Sequence, residues 1–311
     1  FLLKIIIMSL KKSVKNYIIA FRPWSLVAST IPALITITYI YFIKTEYSLD
    51  INLINGFLAL IGAGIFQASS NIINDYLDYK HNVDKPESLG GGRMVVEGYI
   101  KPRSFIIYGY CLLLIGIALG IFLTFRSGYH LLWIGAIGVF FTIFYTKFKY
   151  ISLGDLVIFI IYGPLIGLGT AYVMTNQLIF DALLINIPIA LIVVDILNSN
   201  NTRDMIYDKK AKIKTPAMRL GLERAKTYYM VLIIAAYLFI VLLIFLNLLH
   251  PLCLIVLLSL PVAIRNINIM NKVTLDTLED ITHLDARTSE LVIAFGILLS
   301  IANFIAAKLI I

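Results

Sequence analysis

Two short stretches combine carboxylates and amides at helical spacing. In NDYLDYKHNVDKP, residues 74–86, Asn74, Asp75 and Asp78 fall with Asn71 at i, i+3, i+4 and i+7. Those positions share one face of a helix. Gln67, a turn earlier, carries the stripe into an apolar run. NNTRDMIYDKKAKIKTP, residues 200–216, closes a second stripe of Asp195, Asn198, Asn201, Asp204 and Asp208, with steps of 3, 3, 3 and 4. Carboxylates crowded in this way are unfavourable unless something cationic sits between them. Mg2+ suits the donors: it takes oxygen ligands, keeps several waters, and is bound by a few carboxylates together with substrate phosphates. Basic residues flank both stretches, with Lys85 and Arg93 after the first. Arg203 lies inside the second, and Lys209, Lys210, Lys212 and Lys214 follow it. The expected missing partner is therefore a phosphorylated substrate. A solvated helix end explains any single Asp equally well. The inward continuation through Asn71, Gln67, Asn198 and Asp195 favours a site, because an ionisable residue inside a membrane is by default a functional candidate.

The elements that position these residues are membrane helices. The chain has 311 residues, 60% of them hydrophobic and only 14% charged, which is too apolar for a soluble domain of this length. Several runs reach the ~20 apolar residues that span a bilayer. The ~10-residue alternating segments of a β-barrel are absent from the sequence. The expected fold is an all-α, polytopic bundle of nine spans. They are placed at 24–44, 52–74, 104–125, 129–147, 154–175, 179–200, 225–248, 250–270 and 289–310. The whole chain, 1–311, reads as a single domain. Cys111 and Cys253 lie inside apolar runs and read as small hydrophobes. Residues 1–7 carry no signal-peptide cleavage pattern, and Met8 is a candidate start of translation.

Charge gives orientation. The segment before the first span and the loops 2–3, 4–5, 6–7 and 8–9 hold 23 of the 26 Lys and Arg residues; the other side holds Lys44, Arg126 and Lys308. That bias predicts a cytoplasmic N-terminus and puts both acidic stretches on the cytoplasmic side of a cell membrane. The net charge of +8 is thus a topology signal and does not point to nucleic acid. The two stretches also look like a weak internal repeat. Asp75 to Asp204 is 129 residues and Asp78 to Asp208 is 130, and such repeats commonly share a site at their interface.

These residues resemble a known family. NDYLDYKHNVD and NNTRDMIYD resemble the two aspartate-rich motifs of the UbiA superfamily of intramembrane prenyltransferases, the second in its menaquinone-type form. FRPWSL at 21–26, GGGRMVVEGYIKPR at 90–103, FYTKFKYISLGDL at 144–156 and DARTSELVIAFGILL at 285–299 agree, in order, over nearly the whole chain. Two positions depart. Asn82 stands where the ubiquinone-type branch has its third acid, which here is Asp84; Lys212 stands where the menaquinone-type pattern usually has Gly.

The resemblance implies nine helices around a central cavity and Mg2+ held by Asn74, Asp75, Asp78, Asp84, Asp204 and Asp208. The donor would be a polyprenyl diphosphate and the acceptor an aromatic ring, with dihydroxynaphthoate favoured by the Asp84 spacing. Asp78 and Asp208 are then expected to be catalytic. Tyr145, backed by Tyr150 and Tyr76, would face an allylic cation, as aromatic rings face other cations. Arg22, Lys147 and Lys149 would bind the acceptor's carboxylate or the diphosphate, and Asn71, Arg93, Asn201, Arg203 and Lys209 would contact substrate. GPLIGLGTA, residues 163–171, either leaves room for the prenyl tail or packs closely on a neighbour. Another acceptor (4-hydroxybenzoate, homogentisate or a glycerol phosphate ether) is the nearest alternative. A transporter is the rival from another class, but coupling residues of transporters sit near the midplane, whereas these acids gather at helix ends. The DGxxAR-type motif of the CDP-alcohol phosphotransferases is not present in the sequence.

Overall fold

The computed structural model describes residues 14–86, 89 and 93–309. Residues 1–7, Met8 and residues 90–92, which open GGGRMVVEGYIKPR, lie outside them. Among the described residues the chain is helical, with no strand. A bilayer offers the backbone no hydrogen-bond partner, so each span must satisfy its own, and helices do this. The spans are α1 (Val27–Ile43), α2 (Leu53–Lys80), α3 (Pro102–Ser127), α4 (His130–Tyr150), α5 (Gly154–Thr175), α6 (Asp181–Arg203), α7 (Leu222–Phe245), α8 (Pro251–Lys272) and α9 (Leu284–Leu309). Among the described residues eight helices are long and apolar enough to cross alone; the first crossing reaches that length only as a pair, Val14–Ser25 and α1, bent by 55°. α2 runs six residues past the expected span, so Asn74, Asp75 and Asp78 stand on regular helix. Its start is capped by Asn52, whose side chain accepts the Asn55 N–H at 3.0 Å.

Neighbours in sequence pack on each other, and α9 closes the ring on α1 while also packing on α6. The main apolar core lies among α1, α6, α7 and α9, around Ile35, Ile192, Tyr229 and Phe295. Phe125, Phe245 and Leu258 point outward, as lipid-facing residues should. Opposite that core, the first six spans enclose a cavity of about 690 Å³. α5 is locally a π-helix at Ile161–Leu165, around Pro164. Gly163 and Gly167 press against Ala190, Ala182 and Asn186 of α6. For these two glycines close packing is the correct reading; the stretch reaches the cavity through Leu165, Ile166, Gly169 and Thr170.

The two acid-bearing helices end alike. Asn82 and Lys212, each four residues after the second Asp, adopt left-handed φ of 57° and 59°. The next residue folds back in both: Val83 N–H donates to the Asp78 carbonyl at 2.8 Å and Ile213 N–H to that of Asp208 at 3.0 Å. Asn82 N–H and Lys212 N–H donate in turn to the carbonyls of Tyr79 and Lys209. This is the Schellman termination, with Val83 and Ile213 buried beneath each turn. It repeats at the 130-residue offset and sets Asp78 and Asp208 at equivalent places. It also explains the Lys212 departure: the left-handed position that suits Gly is here occupied by Lys.

Candidate active site

The cavity gathers most of the expected residues. Arg22, Asn71, Asn74, Asp78, Asp84, Tyr145, Lys149, Asn201, Arg203, Asp204 and Asp208 all line it, from five separate elements. The end of α4 grips the end of α2. Lys149 Nζ donates to Asp78 Oδ2 at 2.9 Å, Tyr150 Oη to Asp78 Oδ1 at 2.6 Å, and Asn74 Nδ2 to Asp78 Oδ2 at 3.0 Å. Thr146 Oγ1 donates to Asn74 Oδ1 at 3.1 Å, so the amide is oriented as well.

Across the cavity, α6 stops at Asp204 and a short helix, Met205–Lys210, carries Asp208. Arg203 clamps Asp204 with two bonds of 2.8 and 2.7 Å and reaches the Thr282 carbonyl at 3.4 Å. Thr215 Oγ1 approaches Asp208 Oδ2 at 3.5 Å. Burial pushes the Asp208 carboxyl up to about 7; Lys149 opposes this, and Asp204, Asp78 and Asp84 add to it. Asp84 is also within electrostatic reach of Arg22, Lys149 and Arg203.

The donors fit Mg2+. Among the described residues no three acids, imidazoles or thiols converge into a ready-made cage. Four carboxylates nevertheless face one cavity from two sides, and their repulsion adds to the burial that raises Asp208. A partial oxygen shell of this kind is what Mg2+ uses when water and phosphate complete it. Asn201 Nδ2 is buried without a partner, and an unpaired buried donor is costly unless an acceptor such as a phosphate oxygen arrives.

Other expected residues lie elsewhere. Asp75 does not line the cavity; its carboxylate is buried against Arg22. Lys147 is exposed over the Phe144 ring, and Lys209 is exposed on the short helix. Arg93 is outside the lining, with Nε on Glu97 at 2.6 Å and Nη1 on the Pro86 carbonyl at 3.1 Å. Asp195 is fully buried on the far face of α6. Thr146 and Thr215, and the contact of Tyr150 with Asp78, were missed in the sequence reading. A signal existed for part of this: Thr146, Lys149 and Tyr150 stand at i, i+3 and i+4, the same one-face spacing as the acids.

Comparison with known proteins agrees with this architecture. The UbiA prenyltransferase family model matches residues 29–276. The chain is 29% identical over 293 residues to 1,4-dihydroxy-2-naphthoate octaprenyltransferase of Bacillus subtilis (strain 168), covering 92% of this chain and 91% of that protein. It is 34% identical over 240 residues to UbiA prenyltransferase domain-containing protein 1 of Xenopus tropicalis, with 74% and 67% covered. Two solved structures share the fold. The apo structure of a UbiA homolog from Aeropyrum pernix K1 has a TM-score of 0.67 at 16% identity, covering 88% of this chain and 97% of that one. A UbiA homolog from Archaeoglobus fulgidus bound to DMAPP and Mg2+ has a TM-score of 0.55 at 17% identity, covering 91% and 98%.

Proposed function

This chain belongs to the UbiA prenyltransferase family, and from that premise we propose that it transfers a polyprenyl group from an allylic diphosphate to 1,4-dihydroxy-2-naphthoate in an Mg2+-dependent step of menaquinone formation. The observation that carries the site assignment is the meeting of two like-terminated acidic helix ends, Asn74/Asp78 and Asp204/Asp208, across one cavity that also holds Lys149 and Arg203. The acceptor rests on the likeness to the Bacillus subtilis octaprenyltransferase and on the Asp84 spacing.

Asn74, Asp78, Asp84, Asp204 and Asp208 would hold Mg2+ between them. When bound, Mg2+ supplies Lewis-acid stabilisation of the diphosphate leaving group. Lys149 Nζ and the Arg203 guanidinium line the same space and add charge-assisted contacts to phosphate oxygens. As the allylic C–O bond breaks, the Tyr145 ring offers its face to the cation. The apolar walls keep water away from it. The electron-rich ring then forms the new C–C bond, and its carboxylate is lost during prenylation. The tail runs inward between α3 and α4, past Gly120, Gly135 and Gly138, which line the cavity with open space before each Cα.

The single domain lies in the cell membrane with its N-terminus and cavity mouth in the cytoplasm, an orientation supported by the distribution of Lys and Arg. Product analysis by mass spectrometry, with one prenyl diphosphate and a panel of aromatic acceptors, tests the reaction. Substrate flux across liposomes without chemical turnover would refute it.

A further inference from the structure

Asp75 sits in the first motif between two cavity residues, yet it turns away from the cavity. It is 2% exposed, and its carboxylate meets the Arg22 guanidinium. Arg22 lies within Val14–Ser25, shortly before the break at which that segment meets α1 at 55°, and has a left-handed conformation with φ of 53°. That conformation is costly for a non-glycine residue and persists only where the surroundings impose it. They do so here from both sides. Asn71 Nδ2 donates to the Phe21 carbonyl and to Ser25 Oγ, each at 2.9 Å. Ser25 Oγ donates to the Arg22 carbonyl at 2.9 Å. A guanidinium has five N–H donors; Nη2 is used on Asp75, and the group also lines the cavity. Asp84, Asp285 and Arg203 are the other charges that face it.

We propose that Asp75 is a positioning residue: with Asn71 and Ser25 it holds Arg22 at the cavity wall, and Arg22 there binds an anionic group of a substrate. The anion is the donor's diphosphate or the acceptor's carboxylate. The inference rests on the proposed reaction for its purpose, but the clamp is testable without turnover. The Asp75 ion pair holds the Arg22 side chain, while Asn71 and Ser25 hold the left-handed turn that carries it, which is the arrangement expected where a guanidinium must be aimed.

The test uses full-length protein in lipid nanodiscs and three readouts: Mg2+ half-saturation of activity, binding of inorganic pyrophosphate with Mg2+, and binding of 2-naphthoate. Asp75→Asn and Arg22→Ala should each weaken one of the two anions by about tenfold or more, the scale of a lost charge-assisted contact. Asp75→Asn should leave Mg2+ half-saturation within about twofold of wild type, because a group outside the metal's oxygen shell does not set its affinity. The double variant should be no weaker than Arg22→Ala alone, and Asp75→Glu should recover most of the loss. Whichever probe responds identifies the anion. A shift in Mg2+ half-saturation equal to that of Asp78→Asn would overturn the proposal in favour of a metal ligand. Unchanged binding of both probes would overturn it in favour of packing alone. If Asp75→Asn does not fold, Asp75→Glu and Arg22→Lys carry the same comparison. Intact probe binding without prenyl transfer would count against the reaction and not against the clamp.

Discussion

Replacing Lys149 with Met tests the cavity where α4 meets Asp78 of α2. Lys149 Nζ lies 2.9 Å from Asp78 Oδ2, and the two side chains are 16% and 3% exposed. Solvent screening is therefore small, and removing one partner leaves a buried carboxylate short of a donor. Such losses reach about 3–5 kcal/mol when nothing compensates. Here Tyr150 and Asn74 still donate to Asp78, so the fold should survive with a smaller loss, about 2 kcal/mol. The larger effect should be on turnover. In the proposed reaction the ammonium also meets the diphosphate as charge develops, a contact of about 1.5–3 kcal/mol. That corresponds to a roughly 10- to 150-fold fall in kcat. The assay is single-turnover prenyl transfer in nanodiscs, with thermal unfolding as a control for folding. A folded Lys149→Met protein whose rate is within about threefold of wild type would refute the reasoning, because this buried cation of the cavity wall would then not touch the chemistry.

Three further outcomes follow from the geometry. Lys212→Gly should stabilise the protein by about 1 kcal/mol by removing the left-handed strain at φ 59°, and Lys212→Val should destabilise it, both read from thermal midpoints. Asp208, pushed up to about 7, makes Mg2+ binding pH-dependent. Metal needs the carboxylate form, so affinity should fall as pH drops through about 7, and Asp208→Asn should flatten that dependence. The sign for stability is the reverse without metal. The folded carboxyl holds its proton to higher pH than the unfolded one at about 3.9, so this group's contribution declines as pH rises between those values. Finally, Lys212→Cys should react with a membrane-impermeant maleimide only from the cytoplasmic face; labelling from the outside would reverse the orientation.

The spans were legible because ~20-residue apolar runs are a one-dimensional signal. The first was the exception. Its crossing is completed by a bend between Val14–Ser25 and α1, which leaves no mark in hydropathy. The acidic stretches were legible because helical spacing puts Asn71, Asn74 and Asp78 on one side. Spacing could not separate Asp75 from Asn74. Both fit the stripe, and the neighbouring N-terminal segment decides which faces the cavity. Exposed Lys147 and Lys209 looked like substrate ligands because local charge does not reveal whether a side chain points into the bundle or out of it. Tyr150 comes from a helix distant in sequence, so its contact with Asp78 follows from packing; Thr215, seven residues after Asp208, approaches it through the turn that follows the short helix. The matching Schellman ends gave the 130-residue offset a physical basis that the acids alone did not supply.

The central claim is that the two acidic helix ends form one Mg2+-dependent prenyl-transfer site. Its most direct measurement is mass-spectrometric detection of prenylated naphthoate made by purified protein, with and without Mg2+, for wild type, Asp78→Ala and Asp208→Ala. Wild type should form product only with Mg2+, and both variants should insert and fold but form none. Product from either folded variant, or from wild type without divalent metal, would contradict the account.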